Sequence, residues 1–109
     1  YSRRCAVSGE KTLPVLEAAH IKPYSAAGIN ATNNGLLLRS DLHKLFDSGY
    51  ITVTDTYNVE ISRKIKEEFE NGRDYYKYNG QKLISLPINN FDLPKKEFLI
   101  WHNNNVFRS

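Results

Sequence analysis

Residues 17–49 read EAAHIKPYSAAGINATNNGLLLRSDLHKLFDSG, and the fold turns on how this stretch divides. Residues 15–21, VLEAAHI, form the first convincing strand candidate. Pro23 stops it, because proline has no N–H to give to a ladder. Residues 24–33 are rich in Ser, Ala, Gly and Asn and read as a surface loop. The apolar run Gly35-Leu36-Leu37-Leu38 is the returning strand. Ser40 then reads as an N-cap, and the charge of Asp41 suits the first turn of a helix. Leu42, Leu45 and Phe46 make one apolar face at helical spacing, and Gly49 is placed to close the helix. The pattern predicts a short helix over 41–47 and the order strand, loop, strand, helix.

Three polar residues stand out against these apolar elements: His20 near the end of the first strand, Asn34 at the start of the second, and His43 on the helix. Asp47 follows His43 by four residues, so the two share a helix face and can grip one cation. A helix packed across the two strands would turn that cation toward His20. Each residue also has a plainer reading. A strand histidine is usually paired with a neighbouring carbonyl, an i,i+4 His–Asp pair can be an ordinary exposed pair, and Asn34-Gly35 can be a simple turn.

The order and spacing of the three elements argue for chemistry, because together they resemble the HNH nuclease motif. This holds most closely for the subfamily with an AHI-P strand, an NGL strand and an H-x-x-F-D helix. The likeness covers about a third of the chain strongly, and motif context makes it specific. It extends more weakly into RRCAVSG at residues 3–9 and the Trp101-His102 segment. The resemblance implies an α+β fold, a single domain over 1–109 with a ββα-metal core motif at 15–49. It implies that His20 is the general base, that Asn34 orients the loop and the base, and that His43 is a metal ligand. Asp47 falls where related members such as colicin DNases have another helical ligand. One departure matters. Many members carry Asp or His just before the base, and here that position is Ala19, which cannot coordinate anything. Either the metal rests on His43, Asp47, water and a substrate phosphate, or Glu17 or Asp41 adds a donor.

The implied chemistry asks for these residue types. An imidazole titrates near neutrality, at about pH 6.5, so it can take a proton from water, which contributes about a hundred-fold or more. A cation beside it acts as Lewis acid at the phosphate and the leaving oxygen. A mixed N/O site with open positions accepts one divalent ion, Mg²⁺ first, with Mn²⁺, Ni²⁺ and Zn²⁺ as alternatives. Lys22, Arg39 and Lys44 flank the motif and are candidates to hold DNA backbone phosphates. No base-reading element is evident.

The rest of the chain reads as scaffold. Residues 50–54 alternate like a strand. Ile61, Ile65 and Phe69 fall four apart, with Ser62 before them and Gly72 after, the pattern of an amphipathic helix. Residues 76–86 contain Asn79-Gly80, a two-residue hairpin signal, which makes Tyr75, Tyr76 and Tyr78 parts of a half-buried hairpin. Asp92 and Pro94 begin a last helix carrying Phe98, Leu99 and Trp101, with His102 as a structural residue.

The chain has 109 residues, 25% of them charged and 40% hydrophobic, an ordinary composition for one globular domain. It has no apolar run near 18 residues, so no membrane partner is expected, and no secretory signal opens it. Its single cysteine, Cys5, can form neither an internal disulfide nor a cysteine-cluster zinc site. It reads as a small core residue in a reducing, cytoplasmic setting. The net charge of +3 permits DNA binding without arguing for it. There is no methionine, which points to a piece of a longer protein whose further domains recognise or sense. The expected function is metal-dependent hydrolysis of DNA phosphodiesters in restriction or another defence against foreign DNA. The rivals are a non-catalytic DNA-binding or interaction module that keeps the fold, and an effector nuclease silent until a partner domain is triggered.

Overall fold

A computed structural model describes residues 1–23, 28 and 31–109. Strand β1 (Leu16–His20) pairs antiparallel with β2 (Gly35–Arg39), in a register that sets His20 opposite Gly35 and Glu17 opposite Leu38. Helix α1 (Ser40–Asp47) follows β2 without a linker. The strand, strand, helix order expected from the motif is therefore the order observed. The surface loop expected over 24–33 falls largely outside the described residues.

Alternation decides which face of the hairpin packs. Ala19, Leu36 and Leu38 are each about 1% exposed and share one face, since side chains two apart point the same way. With Leu42 and Phe46 of α1, both at most 1% exposed, they belong to the main core. Cys5 is fully buried in the same core. Its Sγ accepts the N–H groups of Ser8 and Arg39 at 3.3 and 3.4 Å, so it is the small core residue expected.

Ser40 does not cap α1. Its hydroxyl instead donates to the Val15 carbonyl at 3.0 Å, tying the helix start to the entry of β1. The far end closes as expected. Gly49 has a φ of +86° and the Tyr50 N–H donates to the Leu45 carbonyl, the return bond of a glycine-terminated helix. A Cβ at Gly49 would also lie 2.2 Å from the Val106 carbonyl, so this glycine lets the C-terminal segment approach.

Strands β3 (Ile51–Val53) and β4 (Val59–Ile61) form a second antiparallel pair. Helix α2 (Lys64–Phe69), a short α3 (Arg73–Tyr76) and α4 (Lys96–Asn105) complete the described elements. Three expectations need correction here. The spacing of Ile61, Ile65 and Phe69 spans a strand–helix junction, because Ile61 pairs with Ile51 in β4. Only Ile65 of the helix is buried, whereas Phe69 is 60% exposed. The turn at Asn79-Gly80 closes no hairpin with residues 76–78. The Asn79 Oδ1 accepts the Ile61 N–H at 2.8 Å, and the chain beyond Gly80 bridges to Asn58 through Lys82. Residues 73–76 are already helical and β4 offers an open edge, so the segment joins β4 instead. Tyr78 is nonetheless buried and Tyr75 and Tyr76 half-buried. The last helix starts at Lys96, after a separate 3₁₀ turn at Asn90–Asp92. Among the described residues no helix is long and apolar enough to cross a membrane.

Candidate active site

His20 is the last residue of β1, and Asn34 immediately precedes β2. The hairpin register alone brings the two near each other. Asn34 is 1% exposed, and its side-chain amide clamps the backbone just past His20. Its Oδ1 accepts the Lys22 N–H and its Nδ2 donates to the Lys22 carbonyl, both at 2.9 Å. The Asn34 carbonyl also accepts the Ile21 N–H at 3.0 Å. A buried amide with both ends satisfied holds the backbone in one conformation. Gly28 helps this segment pack, since a Cβ there would lie 1.8 Å from the Lys22 carbonyl.

His20, His43 and Asp47 line one cleft of about 370 Å³, with Ala18, Ile21 and Pro23 among its other walls. A larger hollow of about 680 Å³ on the Tyr1 and Leu37 side also reaches His20 but contains no carboxylate. The smaller cleft is therefore the one with the donors for phosphate chemistry. There His43 Nε2 lies 3.1 Å from Asp47 Oδ2. Two ligands at right angles on an octahedral ion, each about 2.1 Å from it, lie about 3 Å apart. At that separation the pair could serve as one nitrogen and one oxygen donor to a divalent cation. Among the described residues no group of three or more His, Cys, Asp and Glu is placed to hold a metal. Burial pushes the Asp47 carboxyl above its usual value, while the neighbouring His43 and His20 pull the other way.

The other ring nitrogen is engaged as well. His43 Nδ1 lies 2.8 Å from Glu17 Oε1. This hydrogen bond holds the Glu17 carboxyl below the usual carboxylate range. Sequence reasoning offered Glu17 and Asp41 as substitute donors for Ala19. Ala19 is buried in the core, so no donor enters the cleft from that position. Asp41 is held elsewhere: Arg39 donates to its two oxygens at 2.7 and 3.1 Å, and the Tyr75 hydroxyl donates to one of them at 3.1 Å. The same pairing commits Arg39 to Asp41. Lys22 stands beside the cleft with Nζ 5.6 Å from the centre of the Trp101 ring, and Lys44 is exposed on α1.

His102 was not foreseen as a support of this site. It is 2% exposed, and its ring stacks on Phe46 at 3.8 Å between centroids. The Phe46 carbonyl, 2.9 Å from Nε2, can only accept, so Nε2 carries the proton and Nδ1 accepts from the Thr52 hydroxyl at 2.7 Å. Burial lowers the His102 pKa to about 4. The neutral ring pins the end of α1, next to Asp47, to β3 and α4. The apolar spacing of α4 marks residue 102 as inward-facing, but nothing in the sequence names its partners.

Residues 5–54 match the family model described as HNH endonuclease. A solved structure titled "Modification dependent TagI restriction endonuclease" superposes with a TM-score of 0.63 at 22% identity, over 95% of this chain. The chain spans only 33% of that protein's length, and at this identity the likeness is one of fold. No curated protein sequence matches. The hairpin, the helix and the cleft residues His20, His43 and Asp47 all lie within the matched segment, so the candidate site falls in the part of the chain that is similar to the HNH endonuclease family.

Proposed function

We propose that this chain is a metal-dependent endonuclease that hydrolyses DNA phosphodiester bonds, leaving 5′-phosphate and 3′-hydroxyl ends. The observation that carries this reading is the His43 Nε2–Asp47 Oδ2 pair at 3.1 Å in a cleft that His20 also lines. A divalent cation bound to that pair, Mg²⁺ foremost, supplies Lewis-acid charge neutralisation at the phosphate and the leaving oxygen. His20 takes the proton of the attacking water as general base. Asn34 keeps the backbone at Ile21 and Lys22 in place, and so keeps His20 aimed into the cleft. Lys22 and Lys44 hold flanking phosphates, a sequence-independent attraction that salt weakens.

Restriction or another defence against foreign DNA is the setting we infer. The solved structure of like fold is titled a modification-dependent restriction enzyme, and this chain matches a third of its length. Further domains of a longer protein would then choose the target. One observation favours a rival, a DNA-binding module without catalysis: the cleft offers two protein donors and no third among the described residues. A plasmid-nicking assay with Mg²⁺, Mn²⁺ and Ni²⁺ separates the two. Metal-dependent nicking that is lost in His20→Ala supports the enzyme. Retained DNA binding with no nicking in any of the three metals supports the module.

A further inference from the structure

We propose that Glu17 is the positioning residue that presents His43 to the cation, by fixing which ring nitrogen is free to bind it. The inference rests on the metal-site reading of His43 and Asp47 and adds a role for a residue outside the cleft lining.

The argument starts from the two nitrogens of one ring. A neutral imidazole carries one N–H, and an ionised carboxylate can only accept. A carboxylate faces each nitrogen, but only Glu17 Oε1, 2.8 Å from Nδ1, meets the ring with hydrogen-bond geometry, whereas Asp47 Oδ2 lies 3.1 Å from Nε2 as an ion-pair contact, so the proton is placed on Nδ1. The lone pair is left on Nε2, the nitrogen that sits 3.1 Å from Asp47 Oδ2. Asp47 lines the cleft with His43 and His20, whereas Glu17 does not. The carboxylate thus stands behind the ring, and the open nitrogen faces the substrate side. This is the carboxylate–histidine–metal arrangement in which an outer carboxylate orients the ring and raises the basicity of the ligand.

The strand adds a second point. Glu17 and His20 lie on the same five-residue β1, locked to β2 from Leu16 opposite Arg39 to His20 opposite Gly35. One rigid strand therefore sets both the base and, through Glu17, the ring on α1. This matters more in a chain where Ala19 contributes no ligand. With two protein donors, the cation's hold depends strongly on how well each is aimed.

The test uses the full chain with Mn²⁺ as the probe, in calorimetric titrations of wild type, Glu17→Ala and Glu17→Gln, beside ¹⁵N NMR of the His43 ring. Glu17 is exposed, so both variants should fold, which circular dichroism checks. The expected result is Nδ1–H in wild type, a mixture of tautomers in Glu17→Ala, and Mn²⁺ affinity about 10–100-fold weaker in Glu17→Ala. Glu17→Gln keeps an acceptor oxygen and should recover most of the affinity. Equal affinity in wild type and Glu17→Ala overturns the inference and leaves the metal site standing. So does an Nε2–H tautomer in the wild-type protein. A loss in Glu17→Gln as deep as in His43→Ala makes Glu17 a direct ligand and also overturns it. A wild-type chain that binds no Mn²⁺ overturns the metal reading, and this inference with it.

Discussion

His43 and His102 both touch α1, yet they lie in different regions and meet different surroundings. His43 lies in the hairpin–helix region, with a carboxylate at each ring nitrogen and its side chain 24% exposed. His102 lies in the layer beneath, 2% exposed, with a carbonyl on one nitrogen and a hydroxyl on the other. Carboxylates leave a ring nitrogen ready for a cation or a proton, and partial exposure keeps the stability cost low. A carbonyl and a hydroxyl in a dry core hold the ring neutral and make it a structural pin. On the proposed function, the same residue type therefore serves chemistry above α1 and architecture below it. Substitutions in the upper region should change activity with little effect on stability, and those in the lower region should do the reverse.

The largest expected effect is on catalysis. His20→Ala should lower the nicking rate about 10²–10⁴-fold with an unchanged melting temperature, as measured by plasmid nicking and thermal unfolding. A variant that cuts as fast as wild type removes His20 from the mechanism. His43→Ala should raise the metal concentration needed for half-maximal nicking by more than 10-fold, because it removes the only nitrogen donor of the pair. A metal titration of the rate reads this, and an unchanged midpoint would break the contrast between the two regions.

The lower region should respond in stability. His102→Leu keeps an apolar side chain but leaves the Thr52 O–H without its acceptor and the Phe46 carbonyl to the Gly49 N–H, at a cost of about 1–3 kcal/mol. Urea denaturation checks this, and a loss under 1 kcal/mol would show that the pin is dispensable. A pH dependence follows from the same residue. The His102 pKa of about 4 in the folded chain lies below the ordinary value of 6.5, so the neutral ring is what folding stabilises. Its contribution is complete above pH 6.5 and is lost as pH falls from 6.5 to about 4. The loss amounts to about 3 kcal/mol. The wild-type stability curve should therefore converge on that of His102→Leu across this window. Parallel curves would assign the titration to other groups.

The smallest effect belongs to the surface. Lys44→Ala should weaken DNA binding only a few-fold and reduce the salt dependence by about one unit of slope, measured by titration at several salt concentrations. Loss of a whole order of magnitude would give Lys44 more than a phosphate-holding part.

The upper region was legible because each of its signals is local. Pro23 ends β1, the leucines at 36 and 38 alternate with period two, and Leu42 and Phe46 repeat at helical spacing. Neighbours in sequence fix each of these. The lower region misled wherever a partner far along the chain decided. Ile61 has helical spacing to Ile65, but pairing with Ile51 draws it into a strand. Asn79-Gly80 has hairpin chemistry, but the open edge of β4 captures the segment. The upper region has one such case, Ser40, which has capping chemistry but whose hydroxyl donates to the Val15 carbonyl, 25 residues back along the chain.

By itself the sequence determined the strand, strand, helix order, the candidate set of His20, Asn34, His43 and Asp47, and the absence of a donor at Ala19, because periodicity and motif spacing are properties of contiguous residues. Only the tertiary structure decided that Asp41 belongs to Arg39, that Glu17 stands behind His43, and that His102 braces α1 from below. Those assignments depend on which polar groups meet when distant segments pack, and a hydrogen bond reaches only about 3 Å.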